Sequence, residues 1–249
     1  MNQEYRIGVD AVRFTADVGD FALIDSGIII GEDAKKENNA YFLRGKNSFD
    51  GNDIEAMFIH LDNAWLAGGG IERAIGNFGF WFEAAYMKWD NATYSNGDYG
   101  EFNEQKDYWR SSIGSDYAIT ENIIGMFEYH FNGAGAKSPK EYTELSQQPA
   151  YQKAGVFLLG QHYLIPSVSW MATPLLTVSS SAFYNVNDRS LFFTIVGEQS
   201  WSDNLYSDFG AYISIGDKLT YIDSTESIEA GSEFGSYPIS LYASIRYYF

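Results

Sequence analysis

The charged residues of this chain that could act on a solute fall on one side of segments in which polar and apolar residues alternate. In residues 78–90, for example, Glu83 shares a side with Trp81, while Phe80 and Phe82 occupy the other side. The polar sides of such segments carry Glu83, Arg110, Asp116, Glu128, Glu198, Asp208 and Arg246. If these sides line a pore, their charges set its ion preference. If the residues instead pair with one another, they hold the wall rigid, and the sequence leaves both interpretations open. In such a pairing, Arg246 is expected to face Asp208 or Glu198 on nearby strands.

Histidine and serine residues could form a catalytic pair, but they do not lie in a recognisable motif. His130 and His162 lie near the ends of neighbouring predicted strands, and Ser167 and Ser169 follow closely in the sequence. A catalytic serine needs an imidazole within hydrogen-bond reach and a third group that orients the ring. Nothing in the chain resembles the motifs of phospholipase or protease families. The histidines are therefore interpreted as wall-lining residues, and the chain is predicted not to be an enzyme.

The composition leaves little room for a metal or cofactor site. The chain has no cysteine and three histidines, which excludes thiolate zinc sites and disulfides and disfavours a histidine-rich metal site. A glycine run at 133–136 follows a predicted strand but precedes no clear helix, so it lacks the context of a phosphate-binding loop. Residues 50–53 (Asp-Gly-Asn-Asp) are more simply a turn than a calcium loop. The sequence predicts neither a metal nor a cofactor.

The balance of charge is strongly acidic. Lys and Arg total 16 against 33 Asp and Glu, a formal net charge of −17 at pH 7. Nucleic-acid binding needs a basic surface, so this class of partner is excluded. The acidic excess favours cationic solutes, although much of it lies in predicted loops. Four loop acids could bind divalent ions or stay solvated, and the solvated state is preferred: Asp223, Glu226, Glu229 and Glu233.

An alternation with a period of two residues runs through almost the whole chain and predicts β-strands. About thirteen segments have the length of membrane-barrel strands. They are residues 5–15, 21–30, 40–45, 54–61, 64–75, 78–90, 107–119, 123–132, 161–172, 175–187, 190–201, 205–217 and 238–249. No sustained apolar stripe with the helical period is present, so a helix is expected at most within residues 137–152.

The connections between these segments alternate in length. Links of two or three residues alternate with long polar loops at 91–106, 133–160 and 218–237, which an antiparallel meander places at one end. About thirteen tilted residues rise roughly 33 Å, enough to cross an outer membrane, whereas soluble strands average about five or six residues. The apolar stretches are too short for a spanning helix, and no signal peptide is recognisable. The chain is therefore cytoplasmic, processed, or a fragment whose signal lies upstream.

The last predicted strand resembles the closing strand of Gram-negative outer-membrane β-barrels. Those strands end in Phe, with apolar or aromatic residues at every second position before it. Here Leu241, Ala243, Ile245, Tyr247 and Phe249 fit all of these positions. The hairpin pattern over residues 60–249 is also similar to that of a porin-type barrel. The resemblance implies that the five residues are an assembly signal, read by the barrel-assembly machinery.

Together these features predict an all-β protein, an antiparallel up-and-down transmembrane β-barrel of about 12–14 strands. Residues 1–249 are a single barrel domain or the C-terminal part of a longer barrel, since bacterial barrels have even strand numbers and thirteen is odd. The expected function is porin-like: passive diffusion of small polar or cationic solutes through the bacterial outer membrane. The expected partners are outer-membrane lipid, the assembly machinery and these solutes. The alternatives are a closed structural or adhesive barrel whose long surface loops bind a partner, and a soluble all-β binding protein, which the last strand opposes.

Overall fold

The structure, a computed structural model, describes residues 10–61, 63–90, 93–95, 102–222 and 227–249. Its strands, numbered along the chain, are β1 (Asp10–Val18), β2 (Ala22–Ile30), β3 (Ala40–Phe49), β4 (Asn52–Leu61), β5 (Ala64–Ile75), β6 (Phe78–Trp89), β7 (Thr93–Ser95), β8 (Phe102–Glu104), β9 (Tyr108–Thr120), β10 (Ile123–Asn132), β11 (His162–Thr173), β12 (Leu176–Asn185), β13 (Leu191–Ser202), β14 (Leu205–Ile215), β15 (Thr220–Ile222), β16 (Ser227–Glu229) and β17 (Ser240–Tyr247). Its helical segments are the 3₁₀ turns Glu32–Ala34, Lys36–Asn38 and Pro139–Glu141 and the short helices α1 (Tyr142–Leu145) and α2 (Pro149–Gln152).

Thirteen of these strands form one antiparallel sheet. Each strand pairs with the next along the chain, except that β6 pairs with β9 and β14 with β17. The other four strands form two small hairpins, β7 with β8 and β15 with β16. β1 and β17 stand at the two ends of the strand order, and no ladder joins them within the described residues. The prediction of an all-β antiparallel fold with about 12–14 strands is confirmed.

The predicted strand limits need few corrections. β5 and β10 have the predicted limits, because period-two alternation and flanking turns define both. For the first predicted segment, residues 5–9 lie outside the described part of the chain, and β1 extends beyond residue 15 to Val18. The segment 40–45 is too short, because β3 continues to pair with β4 as far as Phe49 and Asn52. The short helices fall within residues 137–152, as expected.

Tight turns join the strands at one end of the sheet. Asp50 and Gly51 close the β3–β4 hairpin with φ angles of 49° and 72°, as a two-residue turn of type I′ requires. Asp-Gly is a preferred sequence for this turn, so the turn interpretation of residues 50–53 agrees with the structure. The links at this end of the sheet contain two or three residues each in the described chain.

The long loops lie together at the other end. Leu159, in the loop 133–161, donates its main-chain N–H to Glu233 Oε1 in the loop 216–239, at 2.8 Å. Ala150 donates its main-chain N–H to Gln105 Oε1, near the end of the loop 90–107, at 3.0 Å. These contacts confirm that the three long loops share one end. Within the described residues, no helix has the length and apolarity needed to cross a membrane.

One face of the sheet is apolar and exposed from its first strand to its last. Phe14 on β1, Phe80 on β6, Trp170 on β11 and Leu241 on β17 are all exposed on it. A water-soluble sheet would cover such a face with a second layer. The buried apolar side chains lie instead at the loop end, in a cluster of Ala64, Met87, Trp89, Tyr108, Ala134, Ala150 and Val156. The exposed apolar face is therefore the face that suits lipid.

An arginine on this face should destabilise the sheet according to its depth. We expect Leu241→Arg, opposite Ala211 in the middle of β14, to lower the free energy of unfolding by about 2–4 kcal/mol. Tyr247→Arg, opposite Leu205 at the strand end, should lower it by about 0–1 kcal/mol. Refolding into lipid vesicles, followed by heat-modifiability on gels and denaturant titration, measures both variants. Equal tolerance of arginine at the two positions would show that this strand does not meet lipid.

Candidate functional site on the polar face

The strand registers place the seven charged residues named from the sequence on one face of the sheet. Direct cross-strand pairs join Glu83 to Ser112, Glu128 to Gly114, and Glu198 to Asp208. Arg110, Asp116 and Arg246 lie two residues along the strands from Ser112, Gly114 and Ser244, and so share this face. The seven residues form two separate groups, one on β6, β9 and β10 and the other on β13, β14 and β17. Their role in lining a pore stays a prediction.

The group on β13, β14 and β17 is ion-paired. Arg246 donates to Asp208 Oδ1 at 2.8 Å and to Glu198 Oε2 at 3.0 Å. Ser244 donates to the second oxygen of Asp208 at 2.8 Å. The sequence expectation that Arg246 faces Asp208 and Glu198 agrees with these contacts. Because the side chains are partly exposed, each ion pair contributes about 1 kcal/mol or less, and the contacts support a wall-stiffening role for these residues.

Two more ion-paired groups lie on β1–β4, where the sequence interpretation named no site residue. Arg13 holds Asp25 through two hydrogen bonds of 2.7 Å. Arg44 and Lys46 both reach Glu55, with N–O distances of 2.5 Å and 3.2 Å. The sequence does contain a signal for this second group. Counting outward from the Asp-Gly turn places Lys46 directly opposite Glu55.

The group on β6, β9 and β10 faces a cavity of about 690 Å³. Glu83, Arg110 and His130 line this cavity together with the ring of Trp81. Ala154, from the loop 133–161, also lines it, so the cavity extends toward the loop end. Sites for small molecules usually measure about 300–1,000 Å³, so a small polar solute would fit.

Several polar groups at or beside this cavity have no partner within the described chain. Arg110 Nε and His130 Nε2 are shielded from solvent and make no hydrogen bond to the described residues. No ion pair reaches Glu83, Asp116 or Glu128 in the same part of the chain. Glu128 accepts one hydrogen bond, from the indole nitrogen of Trp81 at 3.3 Å. A solute beside this wall would therefore meet uncompensated charges of both signs.

Glycines on the polar face make room for larger neighbours. A Cβ atom at Gly114 would collide with the indole ring of Trp81, which lies directly opposite on β6. A Cβ atom at Gly79 would collide with the carboxylate of Asp116. The glycine at position 114 thus lets the Trp81 side chain extend across β9 and reach Glu128 on β10.

The histidines and serines considered for catalysis are not brought together. The register keeps Ser167 and Ser169 away from His130 and puts His162 on the opposite face of the sheet. His130 Nδ1 is instead hydrogen-bonded to Ser112 Oγ at 2.8 Å, a contact that the sequence interpretation missed because the two residues lie on different strands. The hydrogen bonds of the described residues provide no carboxylate that orients either ring. These histidines and serines therefore do not form the catalytic pair considered from the sequence.

Among the acidic loop residues, Glu233 is buried rather than solvated. It is 4% exposed, so the expectation of a solvated side chain is wrong for this residue. Burial raises the pKa of its carboxyl group, although hydrogen bonds donated to the carboxylate partly oppose the rise. Asp223 and Glu226 lie outside the described residues, and so does the side chain of Glu229. Within the described residues, no group of three or more potential metal-ligating side chains is present.

No protein-family profile and no curated protein sequence matches this chain. Among solved structures, the chain is similar in fold to the crystal structure of OccAB1 from Acinetobacter baumannii, an outer-membrane channel. The two share 12% sequence identity and a TM-score of 0.58, over 96% of this chain and 67% of that chain. At this identity the likeness concerns the fold alone. The antiparallel sheet of this chain is thus similar in fold to that of an outer-membrane β-barrel channel, which agrees with the resemblance of the last strand.

Filling the space at Gly114 should destabilise the sheet. We expect Gly114→Ala to lower the free energy of unfolding by about 1–3 kcal/mol, because the new methyl group displaces the Trp81 ring. Gly45→Ala is the matched control, since a Cβ at Gly45 meets no atom within 4 Å and the loss of backbone freedom in the unfolded chain is the same. Denaturant titration of both variants in lipid vesicles measures the difference. Equal stabilities would contradict the packing assigned to Trp81.

Proposed function

We propose that this protein is a porin-like β-barrel that lets small polar or cationic solutes diffuse passively across a bacterial outer membrane. The observation that carries the proposal is the cavity on the polar face, lined by uncompensated charges, in a sheet whose other face is apolar and exposed. Selection would combine the size of the opening with the charge of the wall. The fold shared with an outer-membrane channel supports this class of function.

The distribution of charge supports a preference for cations. On the polar face, Arg44 and Lys46 share the single carboxylate of Glu55, which leaves this group with one net positive charge. Five carboxylates at or near the cavity have no ion-pair partner within the described residues: Asp53, Glu72, Glu83, Asp116 and Glu128. Arg110 also lines the cavity and has no ion-pair partner within those residues. The local charge of this part of the wall is therefore negative, like that of the whole chain.

The proposed location in the outer membrane implies the other partners of the protein. The apolar face would contact outer-membrane lipid. Its last members, Leu241, Ala243, Ile245, Tyr247 and Phe249, are exposed on one side of β17 and beyond its end, where the barrel-assembly machinery would read them as a signal. We propose no nucleic-acid partner, because the chain is acidic.

The second candidate function is a closed structural or adhesive barrel whose long loops bind a partner. The observation that favours it is the packing of the loop 133–161 beside the cavity, where Ala150 and Val156 join the buried cluster at the loop end. Proteolysis of intact cells separates this candidate from the first. If the protein is an adhesin, cleavage of the loops would abolish adhesion. If it is a pore, cleavage of the loops would leave its conductance intact.

Single-channel recording in a planar bilayer should show discrete conductance steps with cation preference. We expect the double variant Glu83→Gln and Glu128→Gln to reduce the cation-to-anion permeability ratio severalfold, because it removes two uncompensated charges from the polar face. Glu121→Gln, on an exposed turn at the far end of the sheet, is the control with the same loss of side-chain charge and should leave the ratio nearly unchanged. Reversal potentials under a salt gradient measure the ratio. If the folded protein shows no conductance steps, the pore proposal is refuted and the closed-barrel candidate remains.

Phe249→Ala should impair assembly rather than the stability of the wall. Phe249 is fully exposed beyond the end of β17, so its loss removes few contacts from the folded sheet. We expect outer-membrane yield in cells to fall severalfold, while refolding in vitro stays normal. Phe21→Ala is a matched control, because Phe21 is also an exposed aromatic residue at the turn end of the sheet. Normal cellular yield of the Phe249 variant would contradict the signal role.

A further inference from the structure

The two longest loops meet at the buried carboxylate of Glu233. Leu159, in the loop 133–161, donates its N–H to Glu233 Oε1 at 2.8 Å. The Tyr163 hydroxyl and Asn185 Nδ2 both donate to Oε2, at 2.5 Å and 2.7 Å. One side chain of the loop 216–239 therefore fastens the end of the other long loop and the ends of β11 and β12.

A second carboxylate, that of the half-buried Asp188, lies beside Glu233 in the same cluster. Asn185 Nδ2 donates to Asp188 Oδ2 at 3.2 Å as well as to Glu233, and the main-chain N–H of Glu233 donates to Asp188 Oδ2 at 2.7 Å. Tyr142, on α1, donates its hydroxyl to the same oxygen at 3.0 Å. No ion pair reaches either acid within the described part of the chain. Two carboxyl groups thus share one amide without a compensating cation.

The titratable groups that face Glu233 are acids or phenols. They are Asp188, Tyr142, Tyr151, Tyr163 and Tyr237, which come from the link after β12, from α1, α2, β11 and the loop 216–239. Burial raises the pKa values of Tyr142 and Tyr151, so these phenols stay neutral. The change of charge in this cluster therefore falls on Glu233, whose pKa is raised by burial.

The cluster holds a segment that lies against the cavity. Residues 150–156 of the loop 133–161 pack on Met87 and Tyr108, and Ala154 lines the cavity itself. The contact at Leu159 follows this segment within a few residues. Losing this contact would detach the end of the segment from the loop 216–239, while the Leu159 carbonyl keeps the hydrogen bond donated by the main-chain N–H of Ala136 at 2.8 Å.

We propose that Glu233 and Asp188 form a pH-dependent latch, which fastens the loop 133–161 to the loop 216–239 beside the cavity and loosens as the pH rises. Two ionised carboxylates in one buried cluster repel each other and lose hydration, whereas a proton on Glu233 relieves both costs. Release returns the carboxyl group to water. The latch itself does not depend on the protein being a pore, but any effect of release on solute passage rests on the proposed function.

The sign of the pH dependence is set by linkage. Burial raises the pKa of Glu233 in the latched state above its value in water. The latched state therefore binds the proton more tightly, and its stability is fully present at low pH and lost as the pH rises through the pKa of the latched state. Alkalinisation favours the released loops, and acidification favours the latched ones.

The distance between the two loops tests the latch directly. The native chain has no cysteine, so spin labels can be placed cleanly by Phe157→Cys and Leu219→Cys, at positions that are exposed on the two loops. Pulsed electron paramagnetic resonance on the full chain in lipid vesicles then reports the distance. We expect one narrow distance at acidic pH and, at alkaline pH, a second, longer and broader population that has grown severalfold.

Three variants in the labelled background separate the latch from general loop mobility. Glu233→Gln mimics the neutral acid and should keep the narrow distance at both pH values. Asp188→Asn removes the neighbouring charge and should move the release to higher pH. Glu141→Gln, an exposed acid in the same loop 133–161, is the control and should behave like the unmodified protein. A fourth variant, Glu233→Ala, leaves the Leu159 N–H and the Tyr163 hydroxyl without their acceptor and should broaden the distance at both pH values.

The latch is overturned if the unmodified protein shows one pH-independent distance, or if Glu233→Gln releases the loops as the unmodified protein does. The Glu233→Gln variant tests the latch even if the Glu233→Ala variant does not refold. Conductance recorded from the same samples distinguishes the two proposals. A change of loop distance without any conductance steps would support the latch and count against the pore. Conductance steps with a fixed loop distance would support the pore and count against the latch.

Discussion

The wall of this protein depends on main-chain hydrogen bonds between each strand and its neighbours. In the hydrocarbon core of a membrane no water can replace such a bond, so an unpaired strand would leave polar groups unsatisfied at a cost of several kcal/mol each. The pairing that prevents this cost forces successive side chains onto opposite faces. One face can then contact lipid while the other contacts water. On β17, one register accounts for the exposed Leu241 and Ile245 and for the ion-paired Arg246.

The same register produces two kinds of surface on the polar face, one with ion pairs and one without them. Arg246 neutralises Asp208 and Glu198, and such pairs hold neighbouring strands together at little energetic gain. The cavity wall differs, because Arg110 and Glu83 have no ion-pair partner within the described residues. Arg110 Nε is shielded from solvent without a hydrogen-bond partner in the described chain, whereas Glu83 is exposed. Ion pairing therefore does not explain the placement of these two charges, and under the proposed function they are groups that a passing solute would contact.

The sequence predicted the features that arise from periodicity and few of those that depend on distant contacts. Strand number, the two faces and the facing of Arg246 toward Asp208 depend on alternation within strands and on neighbouring hairpins, so a period of two was sufficient. The group formed by Arg44, Lys46 and Glu55 was missed because the predicted β3 ended at residue 45, before Lys46, which lies opposite Glu55. The Glu233 cluster was missed for a different reason. Its carboxylate contacts Leu159, which is 74 residues away, and no periodic pattern links residues of two loops.

The contrast between wall and loops also locates the part of the molecule that can change shape. In the wall, opening one strand would break a whole ladder of hydrogen bonds at once, which makes the sheet cooperative. The loop end is held by a small apolar cluster and by a few side-chain hydrogen bonds, several of which converge on Glu233. Losing a few such bonds releases a segment without disturbing the ladders. A barrel whose wall stays intact while its opening varies must change shape in these loops. A single titratable group there can shift the equilibrium between latched and released loops.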